Sequence, residues 1–304
     1  MKNSSTHLLG IEGMSAKDIT SILDAAAKFK THFESGGANL DLLCNKTVAN
    51  LFFEDSTRTR NSFEIAARRL GAEVITVGAS GSSMSKGESV DDTARTVEAM
   101  GIDAMVVRHS GAGIPAHLAN ILYAPIINAG DGSHEHPTQA LLDAMTIRER
   151  LGGIAKKNVW IVGDITHSRV ARSNIYLLKT LGANVTVCGP RTLVPRAFGK
   201  AMGVEVANGM ARGFKEADVM MMLRVQLERQ GRGLFPTLAE FAKFYGITNA
   251  KLKDSSVKLV LHPGPINRGV EISDDVADGP LSGILQQVKN GVYVRMAVLE
   301  RACL

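Results

Sequence analysis

Residues 47–77 read TVANLFFEDSTRTRNSFEIAARRLGAEVITV, and this stretch decides the fold. Thr47–Phe53 is an apolar run of strand length. Residues 60–70 carry Phe63 and Ala66 at helical spacing and end on Gly71, a helix stop. Glu73–Val77 is apolar and β-branched again. Strand, helix and strand in succession predict two parallel strands joined by a crossover, because neighbouring antiparallel strands need only a short turn.

The pattern spreads in both directions. Upstream, Ser15 precedes Ile19, Ile22, Leu23, Ala26 and Phe29, a capped amphipathic helix ending near Gly36-Gly37. Downstream come a Gly/Ser-rich loop at 78–87, a helix to Met100, strands at Ile102–Val107 and Pro125–Ile127, and a long helix at His136–Leu151. Gly152-Gly153 stops that helix, and the pattern restarts with strands at Asn158–Val162, Asn184–Cys188, Asp218–Leu223 and Lys258–Leu261, with a helix over 168–181. Residues 281–301 read as mostly helical. The expected fold is α/β: two similar domains, 1–150 and 151–304, each a mostly parallel sheet with helices on both faces. The C-terminal helix, about 285–304, is a candidate to pack back on the first domain.

Composition narrows the function classes. The chain has 304 residues, 35 Lys plus Arg against 30 Asp plus Glu, and 45% apolar content, which suits two globular domains and excludes a disordered or fibrous chain. No apolar run approaches the roughly 20 residues that span a bilayer. Cys44, Cys188 and Cys303 are isolated and odd in number, so a reducing cytoplasm is the expected location and no disulfide framework is expected. The basic residues are scattered and aromatics make up only 5%, so the +5 balance points to small anions rather than nucleic acid.

Ligands of open parallel sheets bind beyond the carboxyl ends of the strands. The first such loop carries Ser56, Thr57, Arg58 and Thr59 at a helix start, where free N–H groups and the helix dipole favour a phosphate; an ordinary N-cap would need only one of those hydroxyls. Arg108 ends another strand. His136 and Gln139 lie three apart at the start of a helix led by Pro137, one face presenting an imidazole and a carboxamide. His134 and His136 are only two apart with no HExxH spacing, so no metal is expected. The turn Gly163-Asp164-Ile-Thr-His167-Ser168-Arg169 lacks the glycines of a dinucleotide loop, so no nucleotide cofactor is expected, and Arg169 becomes a candidate carboxylate ligand. Arg224 ends a further strand, with Gln226 behind it. In His262-Pro263-Gly264-Pro265 two prolines around a glycine fix the backbone path, which admits a cis X-Pro bond and could aim main-chain carbonyls at a ligand.

Phe-Phe-Glu-x-Ser-Thr-Arg-Thr at 52–59, His-Pro-Thr-Gln at 136–139 and Arg-Val-Gln-x-Glu-Arg at 224–229 together resemble the aspartate/ornithine carbamoyltransferase family. Arg-Val-Gln and His-Pro-Gly-Pro resemble its aspartate-using branch; the ornithine branch typically carries His-Cys-Leu-Pro at the last place. The resemblance implies a carbamoyl-phosphate site from Ser56, Thr57, Arg58, Thr59, Arg108, His136 and Gln139, with Gly264 and Pro265 contributing. It implies an aspartate site from Arg169, Arg224 and Gln226, and a loop whose Ser82 and Lys86 serve a neighbouring chain of a homotrimer. Family members often have a second basic residue before that Lys, where this chain has Ser85.

The implied reaction transfers the carbamoyl group of carbamoyl phosphate to the α-amine of L-aspartate, an early step of pyrimidine synthesis. Arg58, Thr59, Arg108, His136 and Lys86 are the catalytic candidates, acting by charge stabilisation, and Lys86 is counted with the aspartate ligands too. No organic cofactor is implied. The sequence leaves open whether regulatory or dihydroorotase-like partner chains bind. Rival readings are ornithine as acceptor and, from another class, a non-catalytic binder of phosphorylated metabolites.

Overall fold

The computed structural model describes residues 7–78, 88–225 and 237–304. The chain divides into two compact units, Met1–Leu142 with Lys289–Leu304, and Asp143–Val288. The sequence reading set the boundary at 150/151, just before the glycine pair that closes a helix, and the two compact units divide within that helix.

The first unit is built on a four-stranded parallel sheet in the order β2-β1-β3-β4: β1 Thr47–Phe52, β2 Glu73–Gly78, β3 Ala104–His109 and β4 Ile126–Asp131. Ala49 and Leu51 of β1, Met105 and Val107 of β3 and Ile126 of β4 point to one face. There they pack on α3 (Val90–Ala99) and α4 (Ile114–Ile121) through Ala94, Val97, Leu118 and Ala119. Side chains alternate along a strand, so Val48, Asn50 and Phe52 face the other way. α2 (Thr57–Arg69) packs against β1 and β2. α1 (Ala16–Glu34) begins at Ser15, whose hydroxyl accepts the Asp18 N–H at 3.1 Å, the cap expected from the sequence.

α12 (Ile284–Cys303) contributes its length from Lys289 onward to this unit. Lys30 Nζ donates to Asn290 Oδ1 at 3.0 Å, Lys289 pairs with Glu34 at 2.6 Å, and the Arg295 guanidinium lies over Phe63 at 5.1 Å. Its length from Lys289 onward therefore packs on the first unit's α1 and α2.

The second unit carries a five-stranded parallel sheet, β7-β6-β5-β8-β9, from β5 Asn158–Val162, β6 Asn184–Cys188, β7 Glu205–Ala207, β8 Val219–Met222 and β9 Leu259–Leu261. Its strands are mostly apolar, as parallel strands covered on both faces are. On one face Trp160, Val162, Cys188, Met220, Met222 and Val260 pack with Met210, Leu252 and Val276. Burial there pushes the Cys188 thiol up to about 12, and all three cysteines are free. In α8 (Ala211–Glu216) a Cβ on Gly213 would stand 2.7 Å from the Trp160 ring, so only glycine lets this helix sit so close. α6 (Arg169–Thr180) packs on β6 and buries Ala171, Ile175, Leu177 and Leu178.

Several short elements lie beyond the expected pattern: α4, α7 (Arg196–Met202), β7, α8, α9 (Leu238–Tyr245), α10 (Asn249–Leu252) and α11 (Asp274–Ala277). The helix expected at 60–70 starts earlier, at Thr57, so Arg58 and Thr59 belong to its first turn. Among the described residues no helix is long and apolar enough to cross a membrane.

Candidate active site

In the first unit the chain runs from β1 outward to β2 and then returns to β1's other side as β3. The carboxyl ends of β1 and β3 flank that reversal, the place where open sheets hold ligands. Phe52 of β1 lies beside Arg108 of β3, and His109 beside Asp131 of β4. The three loops singled out in the sequence thus leave adjacent strand ends.

Ser56 is the N-cap of α2, yet its hydroxyl makes no capping bond. The Ser56 carbonyl accepts Arg60 N–H at 3.0 Å, the first turn of the helix, so the preceding N–H groups have no helical acceptor. Thr57 and Arg58 are exposed at this end and Thr59 is buried. A helix start with three hydroxyls, an arginine and the positive end of a dipole suits a dianion.

Arg108 is buried at its strand end. Its Nη1 donates to the Ala129 carbonyl at 3.1 Å, and its Nη2 lies 3.5 Å from Glu54 Oε1. Sequence reasoning passed over Glu54 as a partner, although an acid directly after a strand was the available signal. His136 and Gln139 are both buried, at the start of α5 (Pro137–Leu151), and the His136 carbonyl accepts Gln139 N–H at 3.0 Å. The loop before them is tied down by Asp131, whose carboxylate accepts Asn128 Nδ2 at 2.8 Å, Glu135 N–H at 3.1 Å and Gly113 N–H at 2.7 Å, with His134 Nδ1 at 3.0 Å. Glu135 accepts the N–H groups of Ile11 and Glu12 at 2.8 and 3.0 Å. His134 and Glu135 hold loops, and among the described residues no group of three or more His, Cys, Asp or Glu could hold a metal ion.

The second unit repeats the reversal, with β6 on one side of β5 and β8 on the other. Val162 pairs with Met222, so the loops after β5 and β8 are neighbours. The turn at Gly163 (φ +134°) is tight: a Cβ there would meet Leu223 Cβ at 3.0 Å and its carbonyl oxygen at 3.1 Å. Asp164, buried, accepts His167 N–H at 3.2 Å and lies 2.9 Å from His167 Nδ1, while Ser168 caps α6 by accepting Ala171 N–H at 3.1 Å. Arg169 is the first residue of α6 and is buried.

Arg224 follows β8, and the chain beyond it is clasped by Glu271, a second residue the sequence reading missed. Glu271 is fully buried and accepts Val225 N–H at 2.8 Å, Asn267 N–H at 3.0 Å and Asn267 Nδ2 at 2.8 Å. Burial pushes its carboxyl above the usual range against the pull of those donors. The Gly264–Pro265 peptide is cis. Ser82 and Lys86 in one segment and Gln226 in another lie outside the described residues.

Each unit is therefore an open parallel sheet with basic groups at the strand ends flanking its reversal, and the first adds a hydroxyl-rich helix start. Together they define a class of α/β protein built to hold small anions. The comparisons make the class particular. Residues 6–149 match the family described as aspartate/ornithine carbamoyltransferase, carbamoyl-P binding domain, and residues 155–302 match its Asp/Orn binding domain. The chain belongs to the aspartate/ornithine carbamoyltransferase family.

The aspartate carbamoyltransferase catalytic subunit of Solibacter usitatus is 54% identical over 296 residues, 97% of this chain and 98% of the relative. That of Syntrophotalea carbinolica is 53% identical over 294 residues, 96% of this chain and 94% of the relative. Among solved structures, aspartate transcarbamoylase from Trypanosoma cruzi in complex with carbamoyl phosphate and aspartate has a TM-score of 0.88 at 30% identity, covering 99% of this chain and 97% of its own. The catalytic subunit of M. jannaschii aspartate transcarbamoylase has a TM-score of 0.85 at 34% identity, covering 98% and 97%.

Proposed function

We propose that this chain transfers the carbamoyl group of carbamoyl phosphate to the α-amine of L-aspartate, giving N-carbamoyl-L-aspartate and phosphate, an early step of pyrimidine synthesis. The observation that carries this reading is the matched pair of strand-end sites: Ser56–Thr59 beside Arg108 in the first unit, Arg169 and Arg224 after adjacent strands in the second.

In the first unit, Ser56, Thr57, Arg58, Thr59 and Arg108 hold the phosphate of carbamoyl phosphate. Thr59, Arg108 and His136 donate to the carbonyl oxygen, where negative charge grows as the amine attacks. Gln139 and the backbone carbonyl around Pro265 accept from the carbamoyl –NH2, which acyl phosphates lack. In the second unit, Arg169 and Arg224 engage the two carboxylates of aspartate; a guanidinium forks onto a carboxylate where an ammonium meets it as a point charge. Gln226 assists them.

The nitrogen lone pair forms the new N–C bond, the C–O bond to phosphate breaks with its electron pair on the departing oxygen, and the amine proton passes to that phosphate. No side-chain base is required, so positioning and electrostatics carry the rate.

We place the chain in the cytoplasm as a homotrimer in which Ser82 and Lys86 complete a neighbouring subunit's site; the motif resemblance supports this arrangement. The decisive assay supplies carbamoyl phosphate with L-aspartate or L-ornithine. Carbamoylated aspartate and no citrulline is the expected result, and citrulline alone removes the reading. Mixing inactive Lys86→Ala chains with inactive Arg58→Ala chains restores partial activity in reassembled trimers if sites are shared; none returning in verified mixed trimers means each chain is self-sufficient.

A further inference from the structure

The second unit contains a buried polar chain that the reaction does not use directly. Asp143, in α5, is wholly buried, and its carboxylate accepts Asn174 Nδ2 at 2.8 Å and Gln287 Nε2 at 2.7 Å. The other end of the Gln287 amide, Oε1, accepts the His262 backbone N–H at 3.0 Å. His262 Nδ1 in turn accepts the Gly264 N–H at 2.8 Å, which places the ring proton on Nε2. Asn174, Gln287 and His262 are all buried as well. One hydrogen-bonded line thus runs from a core carboxylate to the backbone of Gly264-Pro265.

A carboxylate deep in a domain is costly to bury unless its acceptors are filled, and a half-satisfied polar network is worse than an apolar core. Packing alone would be served by a leucine. Each of these links has a fixed polarity: the carboxylate can only accept, so the amide must turn its nitrogen to Asp143 and its oxygen to the His262 N–H. The carboxylate therefore sets the orientation of Gln287, and Gln287 pins the residue two before Gly264.

We propose that Asp143 and Gln287 are positioning residues that act through His262 to hold the Gly264–Pro265 backbone in place for the carbamoyl –NH2. This rests on the function proposed above, in which that backbone recognises the amide.

The test compares carbamoyl phosphate with acetyl phosphate, the analogue of similar shape without the –NH2, each with aspartate as acceptor. Asp143→Asn keeps size but leaves one acceptor oxygen for the two amide donors of Asn174 and Gln287; where its –NH2 faces the Gln287 –NH2, the glutamine flips and abandons the His262 N–H. Its kcat/KM for carbamoyl phosphate should fall at least tenfold more than its kcat/KM for acetyl phosphate, narrowing the preference between the two, whereas the inhibition constant for inorganic phosphate stays within about twofold. Gln287→Met, which removes the middle link at similar size, should narrow the preference in the same way and serves if Asp143→Asn does not fold. The double variant Asp143→Asn with Gln287→Glu restores both links at unchanged net charge, position 143 now donating to position 287 while position 287 still accepts the His262 N–H, and should recover most of the preference.

An equal loss on both phosphates, or no recovery in the double variant, reduces the network to a folding role and overturns the proposal. Pro265→Ala separates this from a failure of the underlying reading. If Pro265→Ala narrows the preference and Asp143→Asn and Gln287→Met do not, the relay is wrong while the site stands. If Gln139→Leu narrows the preference while Pro265→Ala, Asp143→Asn and Gln287→Met all leave it intact, the –NH2 is read without this backbone and the relay falls with it.

Discussion

The two units are alike at the amino edges of their sheets and unlike at the carboxyl edges. Before β3, Asp103 accepts Lys46 Nζ at 2.8 Å and the Thr47 N–H that opens β1 at 2.9 Å. Before β8, Asp218 accepts Lys258 Nζ at 2.7 Å and the Asn158 N–H that opens β5 at 3.0 Å. The same device closes both sheets: an aspartate leading into one strand satisfies the first N–H of the strand beside it. At the opposite edge the resemblance ends. The first unit offers hydroxyls, helix N–H groups and Arg108 partly countered by Glu54; the second offers Arg169 and Arg224, with the buried acid Glu271 holding the Val225 N–H just after Arg224. The shared edge stabilises both sheets, and the differing edges suit the phosphate and dicarboxylate sites proposed above.

The strongest attack on that contrast is Arg58→Ala. Losing one preorganised donor typically costs about 2.7–4 kcal/mol, so turnover should fall roughly 10²–10³-fold. Arg58 is exposed, so the melting temperature should hardly move. Near-normal turnover would remove the phosphate assignment. Arg224→Ala comes next: losing a charge-assisted hydrogen bond of about 1.5–3 kcal/mol should raise the aspartate KM roughly ten- to hundredfold and leave the carbamoyl phosphate KM nearly unchanged. Steady-state kinetics with each substrate varied in turn gives the answer, and equal rises would dissolve the division of labour.

Gly213→Ala probes the second unit's core instead of its edge. The added methyl meets the Trp160 ring, and overpacking of this kind costs about 1–3 kcal/mol, visible as a lower denaturant midpoint with unchanged substrate KM values.

The smallest effect concerns the shared amino edge. Partial burial pushes Asp103 up, but the Lys46 ammonium and the Thr47 N–H outweigh it and hold the carboxyl below its ordinary value; Asp218 is held low in the same way, burial opposed by Lys258 and the Asn158 N–H. A depressed pKa means that the stabilisation is complete above the unfolded value near 3.8 and is lost as the pH falls through the lower folded value. Asp103→Asn and Asp218→Asn should each flatten the acid limb of stability against pH by no more than about 1 kcal/mol, since both pairs are open to solvent. Acid titrations of the two variants that differ widely would show the edges are not equivalent.

The long elements and the binding loops were legible because their signals are local. An apolar run followed by Ser-Thr-Arg-Thr announces both β1 and the anion-facing start of α2, and Ser15 announces α1. The start of α2 was placed late because serine and threonine read as loop residues until the turn they open is seen. α4, α7, α8, α10 and α11 have eight residues or fewer, too few for a helical period to stand out. Glu54, Glu271 and Asp143 stayed hidden for another reason: each meets a group that only the fold brings near, Glu271 the Val225 N–H and Asp143 the Gln287 amide across 144 positions.

α5 carries His136 at its threshold, Gln139 in its first turn and Asp143 one turn later, where the division between the units falls. Residues four apart share a helix face, and each added residue turns the remainder of a helix by about 100°. The interval 136–143 therefore works as a fixed-length gauge. Insertions and deletions among relatives should collect in the surface loops and spare it, because a single extra residue there would swing Asp143 off the line it shares with Gln139.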